Sequence, residues 1–237
     1  MNLMLLEPGD FTAPGQVRLS GRRLTHLNEV HRAEVGDTLR VGLLNGLMGQ
    51  GVLTSLSESV AELSVTLTEP PPAKLPLTLL LALPRPKMLK RILQTVATMG
   101  VSELILVNSY RVEKSFWQTP FLTPEAIREE LILGLEQGRD TVLPNIRIEK
   151  RFKPFVEDHL PNILEGKRAL VAHPGDYPAC PRGFTPDESV CLAIGPEGGW
   201  IGYEIEKLVE VGFHPVSLGA RILRVETAVT ALLARLY

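Results

Sequence analysis

The run Glu69-Pro70-Pro71-Pro72-Ala73-Lys74-Leu75-Pro76 divides this chain into two stretches that no single helix or strand can join. Consecutive prolines fix φ and remove backbone donors. The run is therefore expected as an extended, semi-rigid connector rather than a helix or a central strand. Two domains follow from it, residues 1–72 and residues 73–237.

Before the break the pattern is β. Ala61, Leu63, Val65 and Leu67 alternate with Glu62, Ser64 and Thr66, as in a strand with one buried face. Thr38–Leu44 reads as another strand, and Asn45-Gly46 follows it as a hairpin turn whose two central residues tolerate positive φ. Short strands of this kind lose their exposed edges by closing into a small barrel. After the break, strands alternate with helices. Leu77–Leu83, Leu104–Val107, Ala169–Ala172, Val190–Ile194 and Val216–Leu218 are expected as buried strands. Met88–Met99, Pro124–Glu136, Gly202–Val211 and Glu226–Leu236 are expected as helices. Met88, Ile92 and Val96 share one helix face, and Gly100 and Gly138 stand where helices take a C-terminal cap. Such alternation implies an α/β domain with a mostly parallel sheet covered on both sides.

Hydrophobic residues make up 44% of the 237, ample for a packed core. A net charge of −2 neither favours nor excludes nucleic acid, so an anionic partner has to be read from local clusters. Cys180 and Cys191 are too few for a zinc site or a disulfide framework. Met1–Asp10 lacks the basic start of a signal peptide, and the apolar run Leu77–Leu83 is too short to span a bilayer. A soluble cytoplasmic protein with no membrane partner is expected.

The chemistry is concentrated in two glycine turns. Leu192-Ala193-Ile194 runs into Gly195-Pro196-Glu197-Gly198-Gly199-Trp200, and Ser217-Leu218-Gly219 leads into Ala220-Arg221-Ile222-Leu223-Arg224. Backbone without Cβ allows close approach, and strand ends of parallel sheets are where ligands bind. The pair is expected to grip a flat, polar cofactor. Neither turn is a G-x-G-x-x-G fingerprint and no G-x-x-x-x-G-K-[ST] loop occurs, which disfavours dinucleotide binding and nucleotide hydrolysis. No G-x-S-x-G elbow supports a hydrolase. His26, His31, His159, His173 and His214 form no H-x-x-x-H or H-E-x-x-H pair, so no catalytic metal is expected.

Three basic clusters are candidates for phosphate. Arg85, Lys87, Lys90 and Arg91 open a predicted helix, against its dipole. Arg18, Arg22, Arg23, Arg32 and Arg40 lie in the β region, diluted by acids, and Arg147, Lys150, Arg151 and Lys153 lie in a loop-like stretch. Glu136-Gln137-Gly138-Arg139 offers polar groups at a helix end, either as a structural terminus or as contacts to a base or phosphate. Each cluster taken alone is equally a solvated face.

Ile194-Gly195-Pro196-Glu197-Gly198-Gly199, then Leu218-Gly219 and Arg221-Ile222-Leu223-Arg224-Val225-Glu226-Thr227-Ala228, resemble the cofactor motifs of RsmE-type enzymes. These are the 16S ribosomal RNA uracil-N3 methyltransferases of the SPOUT superfamily. The likeness covers essentially the whole chain. His26-Leu27, Val30-His31-Arg32 and Val35-Gly36-Asp37 resemble the amino-terminal PUA-like barrel of that family. Glu136-Gln137-Gly138-Arg139 with Leu143-Pro144 matches its central signature, and Ala172-His173-Pro174 a further cofactor-side motif. The chain differs at Thr98-Met99-Gly100-Val101, where the family has E-L-G-V, and at Ser109-Tyr110-Arg111, where it has S-E-R.

The resemblance implies a PUA-like β-barrel over 1–72 and, over 73–237, an α/β SPOUT domain with a trefoil knot. It further implies S-adenosylmethionine as cofactor, 16S ribosomal RNA or the small ribosomal subunit as partner, and a homodimer. The cofactor would be held by His173, Pro174, Gly195, Pro196, Glu197, Gly198, Gly199, Leu218, Gly219, Ile222, Leu223 and Thr227. Arg224 is the expected electrostatic catalyst, with Glu226 as base or as orienter of Arg224; a helix-start dipole partner is the structural alternative for Glu226. Arg22, Arg32, Arg85, Lys87 and Arg139 are the expected RNA contacts. The apolar face of the last helix, with Ala228, Leu232 and Leu236, serves either a dimer interface or the core of one subunit. An RNA-binding protein of the same fold without catalysis is the alternative function.

Overall fold

A computed structural model describes residues 2–237; Met1 and the side chain of His31 lie outside the described residues. The chain forms two compact units: residues 1–73 with 132–143, and residues 74–131 with 144–237.

The first unit is built on a six-stranded mixed sheet in the order β1-β4-β5-β6-β3-β2. Its strands are β1 Met4–Leu6, β2 Phe11–Ala13, β3 Gln16–Leu19, β4 Thr38–Leu43, β5 Met48–Leu56 and β6 Ala61–Glu69. The alternation in β6 is realised: Ala61, Leu63 and Val65 are buried while Ser64 and Thr66 are exposed. With Leu6, Val17, Leu19, Val41 and Leu53 they make one core, onto which Leu24 and Leu27 of the helical stretch beginning at α1 Gly21–His26 pack. Asn45-Gly46 does turn β4 into β5, but only Asn45 takes positive φ, at 57°. Register shifts between Met48 and Gly49 and between Leu53 and Ser55 interrupt the long β5–β6 ladder, as bulges do where a strand bends.

The second unit carries a six-stranded, entirely parallel sheet in the order β12-β10-β11-β7-β8-β9. Its strands are β7 Leu75–Ala82, β8 Val101–Val107, β9 Asn145–Glu149, β10 Arg168–Ala172, β11 Val190–Ile194 and β12 His214–Val216. Its longer helices are α2 Pro86–Thr98, α3 Pro124–Gly138, α6 Gly202–Glu210 and α7 Val225–Leu236, with α4 Phe152–Pro154 and α5 Leu160–Leu164 bracketing one further turn. The last part of α3 belongs to the first unit. All expected elements are present, most shifted by a few residues. β9 was not expected: Arg147 sits in an edge strand rather than a loop. Pro76 also lies inside β7, a central strand, where the register slips between Leu75 and Thr78 and so spares the missing donor. Leu77, Leu79, Leu80 and Leu81 of β7 are fully buried, as an interior parallel strand requires.

The caps separate the two helix ends. Gly100 closes α2 with φ of 74°. At the end of α3 the left-handed residue is Arg139, with φ of 56°, not Gly138. Leu232 and Leu236 of α7 are buried inside the subunit, which assigns that face to the core. No helix of the described residues is long and apolar enough to cross a membrane.

Candidate active site

Strand direction places the site. The segments after β7, β8, β10, β11 and β12 all leave the carboxyl edge of the parallel sheet, and they surround a cleft of about 1180 Å³ within the second unit. Small-molecule sites usually hold about 300–1,000 Å³, so the cleft is roomy for one ligand. Its walls include Ala172, His173 and Pro174 after β10, the whole of Gly195–Trp200 after β11, and Ser217, Leu218 and Gly219 after β12. Arg221, Ile222, Leu223, Arg224 and Glu226 also line it. Of the cofactor candidates only Thr227 is outside the wall: it is exposed, while Val225, Ala228 and Leu232 form the face of α7 toward the cleft. Arg85 and Lys87 line the cleft at the start of α2, and both are exposed.

The four glycines of the cleft wall fall into two kinds. A Cβ on Gly195 would stand 3.0 Å from the Trp200 backbone nitrogen and 3.1 Å from Trp200 Cδ1. A Cβ on Gly198 would stand 2.9 Å from Arg111 Cδ. At these two positions the missing Cβ lets Trp200 and Arg111 pack against the turn. Gly199 and Gly219 instead have φ of 73° and 111°, with open space where a Cβ would be. They shape the two turns by conformation. Ser217 Oγ stabilises the second turn by accepting from the Gly219 N–H at 3.1 Å.

Glu197 is a structural tie. Its Oε1 accepts from the Arg85 N–H at 3.0 Å, so the protein supplies its own carboxylate at the start of α2. This accounts for part of the tolerance of basic residues there. Within that cluster, Lys90 pairs at 2.7 Å with Glu130, whose side chain is nearly buried. Arg85 and Lys87 are left to present charge to the cleft.

The structure also brings to the cleft residues that the sequence did not mark as site candidates. Arg111, Glu113, Phe116, Phe121, Met88 and Trp200 all line the cleft. The Arg111 guanidinium donates to the Gly198 carbonyl. Burial, and secondarily the positive charge of Arg111, hold the His173 imidazole below its ordinary pKa of 6.5 and keep it neutral near pH 7. His173 Nδ1 and Trp200 Nε1 are buried without a hydrogen-bond partner. Arg224 precedes α7 and is exposed; Glu226 lies in the first turn of that helix. Arg224 therefore presents its charge to the cleft with no side-chain cap bond to α7.

The candidates in the first unit are mostly neutralised. Arg18 pairs with Glu62 at 2.9 Å, Arg22 with Glu136 at 2.8 Å, Arg23 with Asp10 and Arg40 with Glu69. Glu136 is buried and held by both Arg22 nitrogens, so it serves as a structural anchor. Arg32 and Arg139 are exposed, both at positive φ. In the third cluster Arg147 pairs with Glu149 at 2.6 Å and lies over the Phe155 ring. Among the described residues no cluster of His, Cys, Asp or Glu is arranged to hold a metal.

Comparison with known proteins agrees with this geometry. Residues 71–237 match the family model described as RNA methyltransferase domain. Ribosomal RNA small subunit methyltransferase E of Treponema pallidum is 30% identical over 98% of this chain and 88% of its own length. The protein of the same name from Synechocystis is 30% identical over 93% of this chain and 72% of its own. The crystal structure of ribosomal RNA small subunit methyltransferase E from Neisseria gonorrhoeae, bound to S-adenosyl methionine, shares the fold. Its TM-score is 0.74 at 24% identity, over 99% of this chain and 95% of that one. The chain belongs to the RNA methyltransferase domain family, among the ribosomal RNA small subunit methyltransferases E.

Proposed function

We propose that this protein transfers a methyl group from S-adenosylmethionine to N3 of a uridine in 16S ribosomal RNA. The observation that carries the reading is the convergence of the 195–199 and 218–224 turns with His173 on one cleft at the carboxyl edge of a parallel sheet. The walls suit the cofactor: apolar surface from Ile194, Leu218, Leu223, Val225 and Leu232, backbone at Gly199 and Gly219, and at His173 a neutral imidazole that would add no further positive charge to a site for a sulfonium. When bound, S-adenosylmethionine supplies an activated methyl group on sulfur.

The residues of the chain must remove a proton and absorb a charge. Uracil N3 carries a proton at neutral pH, and that proton leaves as the N3–carbon bond forms. Glu226, a carboxylate that lines the cleft, is the proposed acceptor, directly or through water. Arg224, exposed at the rim, stabilises the negative charge that develops on the uracil carbonyls. The target base has to leave its stack to enter the cleft. Arg85 and Lys87 at the mouth of the cleft then hold flanking phosphates.

The finer architecture belongs to the same reading. The bulged six-stranded sheet of the first unit is read as a PUA-like barrel that binds RNA, with Arg32 and Arg139 as its free cations; Arg22 acts mainly through Glu136. A trefoil knot in the second unit is supported by the placement of β12 beyond β10, and by the bonds from Cys180 N–H to the Ser217 carbonyl and from Ser217 N–H to the Pro178 carbonyl. A homodimer is supported by Ile222, an apolar side chain 82% exposed on the cofactor turn. Its ribosomal substrate would place the reaction in the cytoplasm.

The test is methyl transfer from labelled S-adenosylmethionine to 16S ribosomal RNA and to small subunits lacking the modification, with the product mapped by mass spectrometry. Label on N3 of one uridine is expected. Binding of RNA without transfer would instead indicate the non-catalytic alternative.

A further inference from the structure

The loop after β8 reaches the cleft through one buried acid. Glu204, in the first turn of α6, is 2% exposed. Its carboxylate accepts three bonds: from Ser109 Oγ at 3.2 Å, from the Tyr110 N–H at 2.7 Å and from the Ile201 N–H at 3.0 Å. A buried carboxylate is costly unless its oxygens are satisfied, and here they are satisfied by two separate loops. Glu204 therefore joins the turn before α6 to the segment that ends in Arg111.

Arg111 then crosses the glycine turn. Its side chain packs so tightly on Gly198 that a Cβ there would meet Cδ at 2.9 Å, and its guanidinium donates to the Gly198 carbonyl. Its charge is felt by His173 on another wall of the cleft. A guanidinium has five N–H donors, and one bond to a carbonyl leaves its charge uncompensated. No acidic partner pairs with it in the described residues; Arg85, Lys87, Arg221 and Arg224 line the same cleft from other segments, but Arg111 is the cation bonded to the glycine turn itself. The anion that fits Arg111 is the one carried by the small ligand within the glycine turn.

We propose that Arg111 recognises the carboxylate of the ligand bound in this cleft and that Glu204 is the positioning residue that holds Arg111 there. This rests on the reading of the cleft as an S-adenosylmethionine site. Arg111 acts as a carboxylate reader and takes no part in bond making. The departure from S-E-R at Tyr110 leaves the device intact, because Glu204 grips the backbone N–H at that position and the Tyr110 side chain is 80% exposed.

The experiment is calorimetric titration of the full chain with S-adenosylmethionine and with its decarboxylated analogue. The wild-type protein should prefer the carboxylated ligand by about ten- to a hundredfold, the range of a charge-assisted bond. Arg111→Ala, a change at an exposed side chain, should remove that preference while leaving affinity for the analogue unchanged; Arg111→Lys should restore part of it. Glu204→Gln should reduce the preference, and Ser109→Ala, which removes one of the three bonds, should reduce it less. In steady-state assays the KM for the cofactor should rise in all of these while kcat at saturation holds. Equal loss for both ligands in Arg111→Ala, or an unchanged preference, overturns the proposal while the cofactor reading stands. Failure of the wild-type protein to bind either ligand overturns both.

Discussion

Glu197 Oε1 accepts the backbone N–H of Arg85 at 3.0 Å, tying the glycine turn after β11 to the first residue of the cap of α2. The glycine turn and the start of the helix that carries Arg85 and Lys87 are thus one mechanical unit. Glu197→Ala should cost about 1 kcal/mol of stability, the usual worth of such a bond. It should also raise the KM for both cofactor and RNA. Thermal denaturation together with two-substrate kinetics checks both effects.

Arg224→Ala should lower kcat by about a hundredfold or more, as removal of one electrostatic stabiliser does, while S-adenosylmethionine affinity stays within about twofold. Single-turnover transfer and calorimetry measure the two quantities separately. Wild-type turnover would remove Arg224 from the mechanism.

Gly198, Gly199 and Gly219 should fall into two groups. Gly219→Ala and Gly199→Ala place a Cβ in open space but at φ of 111° and 73°, so each should cost about 1–3 kcal/mol of backbone strain. Gly198→Val presses on Arg111 and should weaken cofactor binding through that side chain. Arg111→Ala in the Gly198→Val background should therefore add little further loss. A double-mutant cycle read by calorimetry tests this coupling.

Acid should act through His173. Its folded-state pKa lies below 6.5, so the unfolded chain takes up the proton first as pH falls. Stability is intact above about pH 6.5 and is lost as pH drops through the depressed value. Protonation also brings a second cation to a site read as holding a sulfonium, so cofactor affinity should fall over the same window. His173→Gln should flatten both the melting-temperature and the affinity profiles between about pH 7 and pH 5.

RNA affinity should depend on the free cations and not on the paired ones. Lys87→Ala should raise the KM for RNA and reduce its salt slope by about one. Arg18→Ala, which opens an exposed pair with Glu62, should change it little. Filter binding at several salt concentrations distinguishes them.

Much of the second unit was legible along the chain. Periodicity is local, so the buried runs at Leu77–Leu81 and Val190–Ile194 read as interior strands, and strand direction then put Gly195 and Gly219 at one edge of the sheet. The motif resemblance added the family, and most of the residues it named do line the cleft. Thr227 lies off the cleft wall because a motif runs continuously whereas a helix shows only one face. β9 escaped notice because it is only five residues long and its alternation rests on two apolar residues, Ile146 and Ile148, inside a basic stretch.

The sequence alone determined where most of the elements lie and which family the chain resembles, because both are written in neighbouring residues. Tertiary structure alone decided which charges remain free and which side chains reach the cleft. Arg111 meets Gly198 across 87 positions and Tyr110 meets Glu204 across 94. Arg22 is occupied by Glu136, which lies 114 positions away. Only packing brings such groups within bonding distance, and a charge that finds its partner in the fold is no longer available to a ligand.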